Sequence, residues 1–171
     1  MKDIHDRDEK WPSGSDRGLI KLNVNGIEHR LHVESDITLA EALRGPLALT
    51  GTKIACNRGA CGACTVLLDG QAVCACMIFA IDVGQRAVTT IEGLCRDHQL
   101  HPIQESFLAH DAVQCGFCTP GLVISAAALL ESNPHPMLDE IKAALSGHLC
   151  RCGTHPHIYE AVLAASTARI K

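Results

Sequence analysis

The chain has 171 residues and a net charge of −4 at pH 7, with acidic and basic residues interspersed. This length is enough for one mid-sized domain or two small ones with buried cores. The sequence contains no basic stripe and no polybasic patch, which argues against nucleic-acid and membrane-surface binding and leaves small molecules or proteins as partners.

The first 18 residues are charged from the start and contain no apolar run, unlike a signal peptide. We expect residues 1–18 to form a flexible arm. The longest uncharged run, Ala112 to Leu130, is almost long enough to span a bilayer, but Gln114 and a Thr-Pro-Gly break interrupt it. A buried loop followed by a helix explains this run better, so no membrane insertion is expected.

The segment after the arm predicts a β-hairpin followed by a short helix. Leu19–Val24 and Ile27–Val33 alternate between apolar and polar residues and are joined by Asn25-Gly26, a dipeptide typical of type I′ turns. The helix is expected over Ser35–Arg44. Three residues are candidates for its N-cap: Ser35, Asp36 and Thr38.

Three further strands complete the predicted first domain. Thr65–Leu68 and Ala72–Met77 flank a second turn at Asp69-Gly70, and Val88–Ile91 is the last strand. Together these segments predict a small mixed sheet crossed by one helix over residues 19–93.

Beyond Gly93, apolar residues recur at helical spacing. Helix starts are indicated by Pro102, Thr119-Pro120 and Pro156, and Gly147 is a plausible stop. The apolar positions of the four predicted helices are Ile103, Phe107 and Leu108; Leu122, Val123, Ala126, Ala127, Leu129 and Leu130; Leu138, Ile141 and Leu145; and Ile158, Val162 and Ala165. Residues 94–171 are therefore predicted to form a helical domain.

Ten cysteines in an apparently cytoplasmic chain need an explanation, because disulfides seldom persist in a reducing compartment. Metal ligation is the leading interpretation. Nine of the ten form two groups, which implies two sites: Cys56, Cys61, Cys64, Cys74 and Cys76 in the first half, and Cys115, Cys118, Cys150 and Cys152 in the second.

The first group begins with a C-x4-C-x2-C run, the spacing of plant-type [2Fe–2S] ferredoxins, in which a distant cysteine supplies the fourth ligand. Gly59 and Gly62 suit such a loop, since they can adopt positive φ and let backbone N–H groups approach the sulfurs. Zinc is the alternative, but structural zinc sites usually use paired short C-x2-4-C knuckles. Cys74 and Cys76 lie two apart on a predicted strand and share a face, so alternation leaves both open as fourth ligand.

The second group consists of a C-x2-C pair and a C-x-C pair, each before a predicted helix. C-x2-C alone could equally be a redox dithiol or half a zinc site. C-x-C brings two thiolates to one side of a tight turn, so the two pairs together could hold one cluster. No histidine occupies a ligand position in either group, which argues against a Rieske-type centre.

Four ordered motifs carry a family resemblance: LTGTKIACNRGACGACTVLLDG, TTIEGLC, QCGFCTPG and HLCRCG, at residues 49–70, 89–95, 114–121 and 148–153. The chain after residue 18 resembles the small iron–sulfur subunit of the molybdenum hydroxylases, the xanthine oxidase and aldehyde oxidoreductase family. The resemblance implies an α+β chain, with a β-grasp ferredoxin domain followed by a four-helix bundle. It also implies two [2Fe–2S] clusters, one in each domain.

The resemblance assigns the ligands. It implies Cys56, Cys61, Cys64 and Cys76 for the first cluster, and Cys115, Cys118, Cys150 and Cys152 for the second. Cys74 and Cys95 are then expected to be small buried hydrophobes. The family further implies that Gln114 and Cys152 approach a molybdopterin cofactor held by a partner subunit.

The function implied by the resemblance is electron transfer. A large subunit would carry molybdopterin, as its cytosine dinucleotide, and hydroxylate a carbon. Electrons would pass through this chain to a medium, FAD-binding subunit, or in some relatives to a haem protein, within a heterotrimer that can dimerise. The sequence itself predicts no catalytic residues and no flavin or phosphate-binding motif; Gly59-x-x-Gly62 is not a dinucleotide fingerprint.

Two other classes of function remain open from the residues alone: a free-standing ferredoxin-like carrier and a zinc-stabilised binding module. The chain also departs from the family pattern at Ala55, where a glycine is usual, and in the segment GTHPHI after the C-x-C pair. His155 and His157 in that segment could suggest a metal, but Pro156 between them favours a loop or helix start. Neither departure removes a ligand.

Overall fold

The structure is a computed structural model that describes residues 17–168 except 96 and 98. Residues 1–16 of the predicted arm lie outside the described residues. The last two residues of that predicted 18-residue arm, Arg17 and Gly18, belong to the first strand.

The first half forms a five-stranded mixed sheet with one helix. Its elements are β1 (Arg17–Val24), β2 (Ile27–Glu34), α1 (Leu39–Arg44), β3 (Thr65–Leu68), β4 (Gln71–Cys74) and β5 (Ala87–Thr89). The strand order is β2-β1-β5-β3-β4, in which β1 and β5 are parallel and the other pairs antiparallel. The predicted mixed sheet crossed by one helix is thus confirmed.

Both predicted hairpin turns are present. Asn25 and Gly26 have φ values of 53° and 81°, and Asp69 and Gly70 have values of 49° and 81°. Positive φ at both central residues defines a type I′ turn, which Asn-Gly and Asp-Gly adopt at low cost.

The predicted start of α1 at Ser35 is wrong by four residues. Ser35 and Asp36 form a turn after β2, and Thr38 then pairs with Phe79 as an isolated β-bridge, so the helix begins only after Thr38. Thr38 then caps the helix: its hydroxyl accepts from the Glu41 N–H, and the Glu41 carboxylate accepts from the Thr38 N–H. Of the three candidate caps, only Thr38 closes this capping box.

Two strand predictions are also corrected. The strand expected over Ala72–Met77 ends at Cys74, and a 3₁₀ turn occupies Ala75–Met77. The strand expected over Val88–Ile91 is displaced to Ala87–Thr89 and is followed by a 3₁₀ turn at Ile91–Leu94. Local alternation of apolar residues could not reveal either turn, because both are set by contacts with distant parts of the chain.

The second half contains the four predicted helices: α2 (Pro102–Ala109), α3 (Thr119–Ser132), α4 (Leu138–Leu145) and α5 (His155–Ala168). Proline occupies the first turn of α2 and of α3, where its missing N–H costs nothing. Helix α4 ends with Ser146 as its C-cap, one residue before the predicted stop at Gly147.

Two hydrophobic cores result. The first packs α1 against one face of the sheet, and the second fills the interior of the four helices. They meet where β3 contacts α3, and Leu67 of β3 packs against the helical core. Within the described residues, no helix is long and apolar enough to cross a membrane.

Two candidate iron–sulfur sites

The loop between α1 and β3 carries three of the first group of cysteines. Asn57, Gly59 and Gly62 all have positive φ, of 50°, 71° and 71°. The positive φ favours glycine at position 59, and a Cβ there would lie 2.9 Å from Cγ of Met77, so that side chain would have to shift. The loop therefore closes against the 3₁₀ turn that carries Cys76.

Backbone N–H groups of this loop point at the sulfur atoms. The Gly59 N–H donates to Cys76 Sγ and the Ala60 N–H donates to Cys56 Sγ, both at 3.3 Å. Such donors stabilise thiolates and the added negative charge of a reduced cluster. The chain thus makes the N–H···S bonds that were expected from Gly59 and its neighbours.

Among the predicted ligands of the first site, the Cys56 thiol neighbours that of Cys61, and the Cys64 thiol neighbours those of Cys76 and also of Cys74. The pKa of Cys56 is lowered to about 7, chiefly by the Arg58 N–H, then by the Cys61 thiol and the Ala60 N–H. Burial raises the pKa of Cys64 to about 12. Cys56 is thus the most exposed of the four predicted ligands, whereas Cys61, Cys64 and Cys76 are buried.

Cys74 lies at the edge of this site. Its side chain is half-buried beside the first core, and Sγ lies 4.0 Å from the Gly59 carbonyl oxygen. Burial, followed by the nearby Cys76, raises the pKa of Cys74, although a hydrogen bond with the Cys64 thiol opposes the shift. Because the strand ends at Cys74, Cys74 and Cys76 do not share a strand face, contrary to the sequence-based expectation.

Cys95 does not behave as expected. It was predicted to be a small buried hydrophobe, but its side chain is exposed. It is the C-cap residue of the 3₁₀ turn at Ile91–Leu94. The prediction for Cys74 is met only in part, since that side chain is half-buried.

The second group of cysteines comes together at the starts of α3 and α5. Cys115 and Cys118 lie in the loop that enters α3, and Cys150 and Cys152 lie in the loop that enters α5. The thiols form two contacting pairs, Cys115 with Cys152 and Cys118 with Cys150. Each pair joins one cysteine from each loop, so the site links two segments more than 30 residues apart in sequence.

The pKa values of Cys118 and Cys150 are shifted in opposite directions. Burial raises the pKa of Cys118 to about 12. Cys150 is also subject to burial, which opposes ionisation, but hydrogen bonds from the Thr154 hydroxyl and N–H outweigh it and lower the pKa of Cys150 to about 6. The Thr154 hydroxyl lies 3.2 Å from Cys150 Sγ, and Cys118 is the N-cap residue of α3. The partial positive charge at this helix N-terminus favours negative charge at the site.

The pairwise arrangement fits a [2Fe–2S] cluster better than a single ion. In such a cluster each iron takes two thiolates, so four ligands divide into two pairs. A structural zinc would instead collect four ligands around one point. The residues therefore fit two binuclear clusters, and Gly59, Gly62, Gly116 and Gly153, all at positive φ, allow the loops to wrap them.

Gln114 lies at the open edge of the second site. Its side chain is exposed and immediately precedes the exposed Cys115. Two large apolar side chains near the same cysteines, Phe117 and Leu149, are 46% and 64% exposed. The second site is thus open to solvent on a face that carries apolar groups.

One backbone hydrogen bond joins the two sites directly. The Leu149 N–H donates to the Cys61 carbonyl oxygen at 3.1 Å. Cys61 belongs to the first site, and Leu149 is bonded to Cys150 of the second. Covalent bonds and this hydrogen bond thus form a continuous path between the two sets of thiols.

Sequence reasoning missed the polar residues at this junction. His148, Thr65 and Ser125 are buried there and contact one another, although they lie far apart in sequence. Their spacing in the chain gives no indication that they meet. His155 and His157 lie in the first turn of α5, as Pro156 between them predicted.

Comparison with known proteins agrees with both sites. Residues 22–88 match the family described as "2Fe-2S iron-sulfur cluster binding domain", and residues 90–163 match "[2Fe-2S] binding domain". The nicotine 6-hydroxylase small subunit of Paenarthrobacter nicotinovorans is 49% identical over 90% of this chain and 93% of its own length. The nicotinate dehydrogenase small FeS subunit of Eubacterium barkeri is 41% identical, over 84% of this chain and 91% of its own.

A solved structure shares the whole architecture. A chain of quinoline 2-oxidoreductase from Pseudomonas putida 86 superposes with a TM-score of 0.86 and 40% identity, covering 90% of this chain and 96% of that one. The fold, with a plant-type ferredoxin domain before a helical [2Fe–2S] domain, is therefore confirmed.

Proposed function

Because the chain belongs to the family of small iron–sulfur subunits of the molybdenum hydroxylases, we propose that it relays electrons from a molybdopterin centre through two [2Fe–2S] clusters to a flavin or another acceptor. It is a subunit of an oxidoreductase complex that includes a large molybdopterin-binding subunit. The observation that carries the relay is the Leu149–Cys61 hydrogen bond, which joins two four-cysteine sites within one chain.

The proposed ligands are the eight cysteines in contacting pairs. Cys56, Cys61, Cys64 and Cys76 would hold the first cluster, and Cys115, Cys118, Cys150 and Cys152 the second. Pairwise thiol contacts and N–H···S bonds from Gly59 and Ala60 support this assignment. Each cluster supplies one-electron chemistry when bound.

The chain's own groups favour reduction and transfer. N–H donors at the first site and the N-terminus of α3 at the second stabilise the negative charge that an added electron brings. The hydrogen bond between the Cys61 carbonyl and the Leu149 N–H provides a through-bond route for the electron, so that transfer need not occur through space. Burial of Cys61, Cys64 and Cys76 keeps water away from most of the first site.

The second site is proposed to face the large subunit. It is the more open of the two, and exposed apolar side chains surround it. Gln114 and Cys152 would approach the molybdopterin cofactor, as its cytosine dinucleotide, because Gln114 is exposed beside Cys115 and its amide can both donate and accept hydrogen bonds. The first site would then face a medium FAD-binding subunit, in a heterotrimer that can dimerise.

Two further features are proposed. Residues 19–93 and 94–171 form the two functional domains, which is supported by two separate hydrophobic cores. The complex is also proposed to reside in the cytoplasm, where a reducing environment disfavours disulfides and leaves cysteines available as cluster ligands.

Affinity capture of the chain from its native host tests the relay and its partners together. We expect a large polypeptide with molybdenum, a flavin-containing polypeptide and two [2Fe–2S] clusters per small subunit by iron analysis and visible absorbance. Recovery of the chain alone, with both clusters intact, would instead identify a free-standing carrier. Stoichiometric zinc in a colourless sample would refute the iron–sulfur assignment altogether.

A further inference from the structure

The side chain of His148 is buried where the two sites meet. It is 8% exposed and lies two residues before Cys150. Its ring packs against the loop of the first site so closely that a Cβ at Gly62 would lie 2.6 Å from His148 Cδ2. The ring therefore fills the space between that loop and the helical domain.

The ring nitrogen Nε2 contacts one hydroxyl from each domain. It lies 3.2 Å from Thr65 Oγ1, at the start of β3, and 3.0 Å from Ser125 Oγ, on α3. The Thr65 hydroxyl donates its single proton to the Gly62 carbonyl at 2.7 Å, so it can only accept from His148. The Thr65 contact therefore calls for a proton on Nε2, which also lies within reach of the Ser125 oxygen, whereas the buried Nδ1 has no hydrogen-bond partner among the described residues.

The peptide between His148 and Leu149 is fixed on both sides. Its carbonyl oxygen is 3.1 Å from Nε2 of His155, and its N–H donates to the Cys61 carbonyl at 3.1 Å. The ring of His148 is the third anchor of the same segment. Two other attachments, the His155 contact and the ring of His148, thus hold the segment that makes the hydrogen bond between the two sites.

We propose that His148 is a positioning residue for electron transfer between the two clusters. By tying Thr65 of the first domain to Ser125 of the second, it holds the Leu149 N–H on the Cys61 carbonyl and fixes the separation and orientation of the two sites. This role rests on the proposed relay and adds to it a residue that ligates neither cluster.

A histidine that merely filled the junction would affect stability and leave transfer unchanged. The informative variants are therefore His148→Ala, which removes ring and donor, and His148→Gln, whose amide restores an N–H donor at a similar distance from the backbone. His157→Ala is the matched control, because His157 is exposed on α5 and lies close to the second site in sequence.

The experiment uses the assembled complex and two readouts besides turnover. Electron paramagnetic resonance at low temperature reports the magnetic interaction between the two reduced clusters, which depends steeply on their separation. Rapid-freeze samples then follow the electron from the second cluster to the first. In His148→Ala we expect both clusters to be present, the interaction splitting to be lost and arrival at the first cluster to be slower. His148→Gln should recover both properties, and His157→Ala should match the wild type.

Unchanged splitting and unchanged arrival in His148→Ala would overturn the proposal. If that variant loses a cluster, Thr65→Val and Ser125→Ala decide, since each removes one of the two hydroxyl contacts. Weaker interaction in either variant supports the role of His148, and wild-type behaviour in both refutes it. Absence of iron–sulfur signals from the wild-type complex would instead overturn the relay itself, and the role of His148 with it.

Discussion

Each site combines thiols of opposite character. Cys56 and Cys150 have pKa values lowered to about 7 and about 6, whereas burial raises those of Cys64 and Cys118 to about 12. In the Cys118–Cys150 pair this leaves one thiolate and one thiol at neutral pH. Cluster binding must therefore expel protons from the buried members, in keeping with the general coupling of thiolate ligation to proton release.

The fourth ligand of the first site can be tested with two serine variants. Cys76→Ser should damage or remove the first cluster, because Cys76 is buried, pairs with Cys64 and accepts the Gly59 N–H. Cys74→Ser, the matched control two residues away, should leave both clusters in place. Electron paramagnetic resonance of each variant is the measurement. If Cys74→Ser loses the first cluster and Cys76→Ser keeps it, the fourth ligand is Cys74 and not Cys76.

Gln114 provides a second test at single-residue scale. Gln114→Ala should retain both clusters, since the side chain is exposed and ligates neither, but should lower molybdenum occupancy or slow reduction of the clusters by substrate. Rapid-mixing absorbance of the assembled complex, with metal analysis, gives both quantities. Gln71→Ala, at an exposed position on β4, is the control. If Gln114→Ala has wild-type molybdenum occupancy and wild-type rates of cluster reduction, Gln114 is an ordinary polar loop residue with no role at the cofactor.

Helix α3 passes very close to the loop of the first site at Gly121. A Cβ at Gly121 would meet the carbonyl oxygen of Gly62, a backbone atom that cannot move away cheaply. Glycine in a helix costs about 1 kcal/mol relative to alanine, so propensity alone disfavours this residue. Close approach of α3 to the cluster loop explains why glycine is nevertheless present.

Gly121→Ala should therefore destabilise the protein despite improving helix propensity. Overpacking typically costs about 1–3 kcal/mol, which exceeds the propensity gain. Gly147→Ala is the matched control, because its Cβ would meet nothing within 4 Å. The temperature at which visible cluster absorbance bleaches measures both variants. Equal or higher stability of Gly121→Ala would contradict the close packing.

Elements with strong local signals could be predicted from sequence, and those shaped by distant contacts could not. Asn25-Gly26 and Thr119-Pro120 marked a turn and a helix start correctly, since each acts through its own backbone restrictions. The start of α1 was missed because Thr38 bridges Phe79, some 40 residues away. The cysteine spacing and the family resemblance predicted two four-thiol sets, but neither could reveal the ring of His148 between them.

At the scale of the whole molecule, one polypeptide holds two sites with unequal cover. All eight proposed ligands lie within the described residues; three of the four cysteines of the first site are buried, whereas none of the four of the second site is. In the assembled complex the large subunit is expected to cover the second site. The free chain lacks that cover.

This asymmetry has a consequence for biogenesis and for damage by oxygen. The free small subunit, incubated in air, should lose the second cluster well before the first, while the assembled complex should keep both; the two signals followed over time by electron paramagnetic resonance would show it. Equal lifetimes in the free chain would contradict this order. During maturation, the first cluster is then expected to persist after early insertion. The second cluster is protected from oxygen only after the large subunit has bound and covered its site. Formation of the complex would then act as the final protective step in the maturation of the cofactors.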